Sequence, residues 1–181
     1  MDTQTLTLTT GTWNVDPAHS EVGFTVRHLM SKVRGTFDDY VATVTTTSDD
    51  PTAASVTAEV KLASVNTRNE QRDGHLRSAD IFNAEKDALM TFVSTGITGA
   101  DGEYEIAGDL TINGTTRPVV LQAEFLGVDV DAYGATRLGV EASTSISRKD
   151  FGIDFNVALQ GDKVLIGDKV DITLTIQAVK A

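Results

Sequence analysis

Cysteine is absent from the 181 residues, so the chain forms neither disulfides nor thiolate metal sites, and a reducing compartment suits it. Basic residues are few: 15 Lys and Arg stand against 26 Asp and Glu, a net charge of −11. That balance argues against nucleic acid as a partner, because affinity for phosphates comes mainly from Lys and Arg. It also disfavours anionic membrane surfaces, and it reads most simply as an acidic, solubilising surface. No run approaches the roughly 18 to 20 apolar residues of a membrane-spanning helix, so no transmembrane segment is expected. The opening MDTQTLTLTTGTW has an acid where a signal peptide carries bases, and no continuous apolar run follows. A cytoplasmic location is therefore expected.

Histidine is also scarce, with three residues at 19, 28 and 75. Zinc needs three or four converging ligands, typically at short spacings. If residues 19 to 28 are extended, His19 and His28 lie roughly 30 Å apart at about 3.3 Å per residue. No metal site is expected. Nucleophile elbows, Gly-x-Gly-x-x-Gly and P-loops are missing as well, so neither covalent catalysis nor a nucleotide cofactor has support, and no cofactor is expected.

What the chain does have is period-two alternation, the mark of half-buried strands. Val22, Phe24, Val26, His28 and Met30 share one parity, with Glu21, Thr25 and Arg27 on the other. Further rows run through Val56 to Leu62, Tyr104 to Ile112, Val119 to Phe125, Leu138 to Ile146 and Val170 to Ile176. Asn113-Gly114, Asp101-Gly102, Tyr133-Gly134 and Gly161-Asp162 mark reversals. The first is the strongest hairpin signal, although the Thr-Thr-Arg-Pro that follows suggests a loop longer than two residues. Residues 65–88 break the rhythm and predict a short helix around 73–80, with Asp73 as its N-cap. The pattern is all-β: eight or nine antiparallel strands in one domain, as a sandwich or a closed barrel. At eight strands a barrel is just wide enough to be filled by side chains or to hold one small ligand.

By parity His28 faces the interior beside Phe24 and Val26. It is either a core histidine paired with a neighbouring carbonyl or acid, or a polar contact for the head of an apolar ligand. His19, after Asp16-Pro17, belongs to the turn before its strand.

The blocks WNVDPAHSEVGFTVRHLMSKVRGTF, SVNTRNEQRDGHLRSADIFNAEKDALMTFVST, YEIAGDLTINGTTRPVVL and SISRKDFGIDF resemble, in order, those of the YceI-like family. The resemblance spans roughly residues 12–179 of the single domain 1–181. It implies an eight-stranded antiparallel lipocalin-like barrel with one short helical insertion. Its members are associated with long apolar molecules, polyisoprenoids and fatty-acid amides, in an elongated pore. Many are periplasmic, whereas no secretion signal is seen here. Carried onto this sequence, the blocks make Phe24, Val26 and His28 pore residues. Leu76, Ile81 and Phe82 are candidates for covering one end. Phe37, Met90, Phe92 and Leu110 are further ligand-binding candidates, each with an ordinary core-packing alternative.

The leading expectation is thus a non-catalytic binding or carrier protein for a long-chain isoprenoid or acyl lipid. One alternative is an enzyme, an isomerase or hydrolase of an apolar substrate with His28 or His75 as base. The other is a structural or stress-response barrel filled by its own side chains. A homodimer is compatible with the resemblance, but no segment marks an interface.

Overall fold

Strands that alternate apolar residues with Thr, Glu and Lys satisfy core and water together only when they pair around a shared interior. The computed structural model describes residues 7–84, 88–157, 159 and 165–181. Its strands are β1 (Gly11–Val15), β2 (Glu21–His28), β3 (Ser31–Phe37), β4 (Tyr40–Thr46), β5 (Ser55–Lys61) and β6 (Val65–Asn66). After helix α1 (Glu70–Arg77) come β7 (Leu89–Ala100), β8 (Glu103–Ile112), β9 (Thr115–Val130), β10 (Thr136–Ser147) and β11 (Ile166–Lys180). β1, β4, β5, β7, β8, β9, β10 and β11 are neighbours in that order, and β11 returns to β1. All these pairings are antiparallel. The result is the expected eight-stranded closed barrel with a helical insertion, and closure leaves the ring without a free edge.

One side of the wall is built from broken strands. A 3-10 turn at Pro17–His19 separates β1 from β2, yet both lie along β11. The turn is fixed by Asp16, whose side chain accepts from the Ala18 amide (3.0 Å) and contacts His19 Nδ1 (2.7 Å). Asp38-Asp39 makes the matching break between β3 and β4, so the β2–β3 hairpin extends the wall beyond the ring. On its far side β3 meets, among the described residues, only β6, at Thr36 and Phe37. Leu76 of α1 and Ile81 and Phe82 after it stand over the space beyond.

The helix begins earlier than its sequence suggests. Asn69, not Asp73, is the N-cap and accepts from the Arg72 amide (3.0 Å). Asp73 is buried and turned back onto Thr67, accepting from its amide (2.9 Å) and its hydroxyl (2.5 Å). Arg72 donates to the same residue, to Oγ1 (2.8 Å) and to the carbonyl (2.9 Å). This lock between the helix and the residue two before its N-cap outweighs the local capping preference of Asp73. The loop expected after Ile112 is also corrected: Asn113 and Gly114 alone form the turn, at φ 49° and 80°. Thr115 to Pro118 pair with β8 instead. Pro118 precedes the first β9–β10 pair, Gln122 with Ser143, so its missing N–H faces no partner strand. Met30, expected in the inward row, is 99% exposed because β2 ends at His28 and the chain reverses through Leu29 at φ 54°. The reversal expected at Gly161-Asp162 lies outside the described residues.

The end away from α1 is plugged. Trp13 is fully buried with Leu8, Leu138 and Ala178, and its indole N–H donates to Thr46 Oγ1 (3.0 Å). The Thr46 hydroxyl in turn donates to the Thr9 carbonyl (2.6 Å). Lys180 Nζ sits 5.8 Å from the centre of the indole ring.

Candidate functional site

The inward rows line two chambers inside the barrel. The one nearer the Trp13 plug has a volume of about 200 Å³ and is walled by Val44, Val56, Ala58, Phe92, Ile106 and Leu110, among others. The second, at the α1 end, measures about 340 Å³. Val22, Met90 and Ile172 line both, so the chambers abut at a shared waist. The exposed surface of both walls is almost wholly carbon. Such a space favours apolar guests because it removes them from water without offering hydrogen bonds.

Of the residues singled out from the sequence, Phe24, Val26, His28, Phe37, Leu76, Ile81 and Phe82 come together around the α1-end chamber. Phe92 and Leu110 stand in the other, and Met90 belongs to the waist. Leu76, Ile81 and Phe82 arrive from α1 and the turns after it. Their positions are fixed by the Phe82 amide on the Leu76 carbonyl (3.1 Å) and by Asn113 Nδ2 on the Phe82 carbonyl (2.6 Å). Phe24, Phe37 and Phe82 form an aromatic run, with centroids 5.4 Å and 5.9 Å apart and tilted planes.

Two phenyl rings lie flat on the wall because glycine faces them. A Cβ on Gly35 would fall 2.4 Å from Phe24 Cζ, and one on Gly108 would fall 2.3 Å from Phe92 Cζ. Each chamber therefore owes part of its width to an aromatic–glycine pair on adjacent strands.

The histidines divide as their positions in the chain indicate. His19 lies in the turn before β2. His75 contacts Asp80 (Nε2–Oδ2 3.2 Å) and meets the Phe155 ring edge-on at 4.7 Å. His28 and His75 line the same chamber, but the two rings that hydrogen-bond among the described residues are His19 and His75.

Arg148 was not singled out from the sequence. It is 6% exposed and belongs to the wall of the α1-end chamber. Nε donates to the Gly167 carbonyl (2.9 Å), Nη1 to Ile153 (2.9 Å) and Phe155 (2.8 Å), and Nη2 to Ile166 (3.3 Å). One guanidinium thus fastens the 153–155 segment to the start of β11. Burial pushes its pKa down, and the nearby Asp168 and Asp154 oppose that shift. The inward parity of Leu138 to Ile146 continues to residue 148, which is the signal that could have found it.

The buried Tyr40 hydroxyl has no hydrogen-bond partner among the described residues, and burial raises its pKa, with Asp16, Asp38 and Glu21 adding to the shift. It remains protonated at neutral pH, a neutral group at the edge of the Trp13-end chamber.

A closed antiparallel barrel of eight strands with carbon-walled chambers along its axis defines a barrel-type binding protein. The family model for the YceI-like domain matches residues 13–178, and the chain belongs to that family. Protein YceI of Escherichia coli O157:H7 is 38% identical over 165 residues, covering 90% of this chain and 82% of that one. The crystal structure of the Campylobacter jejuni YCEI protein matches with a TM-score of 0.70 and 31% identity, over 100% and 99% of the two chains. A polyisoprenoid binding domain from Saccharophagus degradans, implicated in plant cell wall breakdown, shares the fold at a TM-score of 0.72 and 16% identity, over 93% and 98%.

Proposed function

We propose that this protein binds one long apolar chain, a polyisoprenoid or a fatty-acid amide, within its barrel and carries it without chemical change. The observation that carries the reading is the pair of abutting chambers with carbon walls. Each buried methylene contributes on the order of 0.8 kcal/mol, so a chain filling both chambers binds tightly even after ordering and association costs. Met90 at the waist suits passage between them, since an unbranched thioether changes rotamer easily. The neighbouring fold that is described as polyisoprenoid binding supports the ligand class.

His28 serves in this reading as wall rather than as base, because among the described residues no acid hydrogen-bonds its ring, whereas His19 and His75 each have one. The open chambers speak against a barrel filled by its own side chains. Extraction of the purified protein with organic solvent, followed by mass spectrometry, tests the proposal. A stoichiometric long-chain lipid is expected. A bare extract, together with no binding of isoprenoid or acyl probes, would sink it.

A further inference from the structure

We propose that the tip of the β2–β3 hairpin docks this protein on an anionic lipid bilayer, presenting the α1-end chamber to the membrane. The inference rests on the carrier reading for its purpose, but on separate observations for its site. Leu29 and Met30 form the tip and are 49% and 99% exposed. The Leu29 amide donates to the Leu165 carbonyl (2.9 Å), and the Leu165 amide to the Val157 carbonyl (3.0 Å). Val157, 43% exposed, and Leu165 both line the α1-end chamber. The backbone ladder thus sets the exposed Leu29, Met30 and Val157 along the rim of the chamber whose wall contains Val26, His28 and Val33.

Charge selects the occupant. Residues 25–37 hold Arg27, Lys32 and Arg34 and no acid, in a chain of net charge −11. All three are exposed, and Arg27 and Lys32 stand opposite each other across the hairpin. Arg27 and Lys32 lie two residues behind Leu29 and Met30, roughly 7 Å at about 3.3 Å per residue, and Arg34 lies four behind Met30, roughly 13 Å. Long basic side chains at that depth reach phosphates while the tip enters the interface. Among the described residues, the β11 acids that border this flank are already engaged, Asp168 by Ser147 (2.5 Å) and the Lys149 amide (3.2 Å), and Asp171 by Ser145 (2.5 Å) and Lys169 (3.4 Å). An apolar tip with three cations on one face behind it matches an anionic bilayer, whereas an acidic protein partner would leave Met30 and Leu29 without an apolar phase. The overall negative charge opposes every other orientation, so it turns a weak contact into a directional one.

Because the chain has no cysteine, Met30→Cys accepts a single environment-sensitive fluorophore. Labelled protein is titrated with phosphatidylcholine vesicles with and without about one-third phosphatidylglycerol, at low and at about 1 M salt, where the Debye length falls to about 3 Å. A blue shift is expected with anionic vesicles at low salt and not with neutral ones. Sedimentation of unlabelled protein should be weakened about 25-fold by Lys32→Glu, at about five-fold per unit charge, and strongly by Met30→Glu. Unchanged melting and unchanged uptake of an acyl probe in solution show that these variants are folded. No shift with anionic vesicles, equal shifts with both, or partitioning indifferent to both substitutions overturns the docking proposal. A protein that takes acyl probes but ignores vesicles loses only the dock. One that binds vesicles but takes no acyl probe loses only the carrier reading.

Discussion

Replacing Gly35 with alanine tests how the α1-end chamber keeps its width. The new Cβ would lie 2.4 Å from Phe24 Cζ, 2.7 Å from Cε1 and 2.9 Å from Thr67 Cγ2. Thr67 cannot retreat, since its hydroxyl is tied to Asp73 and Arg72. Phe24 must therefore swing off the wall, away from Phe37 and into the chamber. Overpacking of this kind costs about 1–3 kcal/mol. Stiffening the unfolded chain returns about 0.4–1 kcal/mol, because Gly35 does not occupy the left-handed region. The net loss should be about 1–2 kcal/mol in urea unfolding, accompanied by weakened uptake of a fluorescent acyl probe. Phe24→Leu in the same chain should restore much of both, a non-additivity that marks direct contact. Wild-type stability and uptake in Gly35→Ala, or a double variant no better than the single one, would refute this account of the wall.

Three further outcomes follow from the structure. Arg148→Met removes the donor from the Gly167, Ile153 and Phe155 carbonyls, while Ile166 keeps Asn156 Nδ2 (2.8 Å), and should cost about 3–5 kcal/mol in urea unfolding; a loss under about 1 kcal/mol would contradict its fastening role. Asp16 is held down to about 2, from an ordinary 3.8, first by Arg137 and then by His19. Its folded pKa lies below the unfolded one, so its contribution is complete above about pH 4 and is lost as pH falls toward 2. Asp16→Asn should therefore flatten the fall of melting temperature over that window, and an unchanged slope counts against the link. Glu103, Glu124 and Glu141 stand directly opposite one another across β8, β9 and β10. Glu124→Gln should stabilise by about 0.5–1 kcal/mol at low salt and by less at high salt; thermal melts at both ionic strengths decide.

Much of the barrel is legible in the sequence because a strand's side chains alternate strictly. Rows such as Tyr104, Ile106 and Leu110, or Val140, Ala142 and Thr144, line the chambers that their parity predicts. What escapes is what depends on how the chain turns back on itself and on which neighbours that brings together. Asp73 looks like a cap until Thr67 is beside it, and Arg148 reads as a surface charge until four carbonyls converge on it. Met30 shares the parity of Phe24, but a two-residue reversal removes it from the strand. Gly35 and Gly108 carry no sign of the rings lying over them, because the cross-strand neighbour is set by register.

In the proposed function the two chambers together hold one apolar chain. Delipidated protein titrated with a series of fatty-acid amides of increasing length tests it most directly. Affinity should rise about four-fold per added methylene, the equivalent of about 0.8 kcal/mol, and then level off once both chambers are filled. Affinity indifferent to chain length, or no saturable binding at any length, would contradict the account.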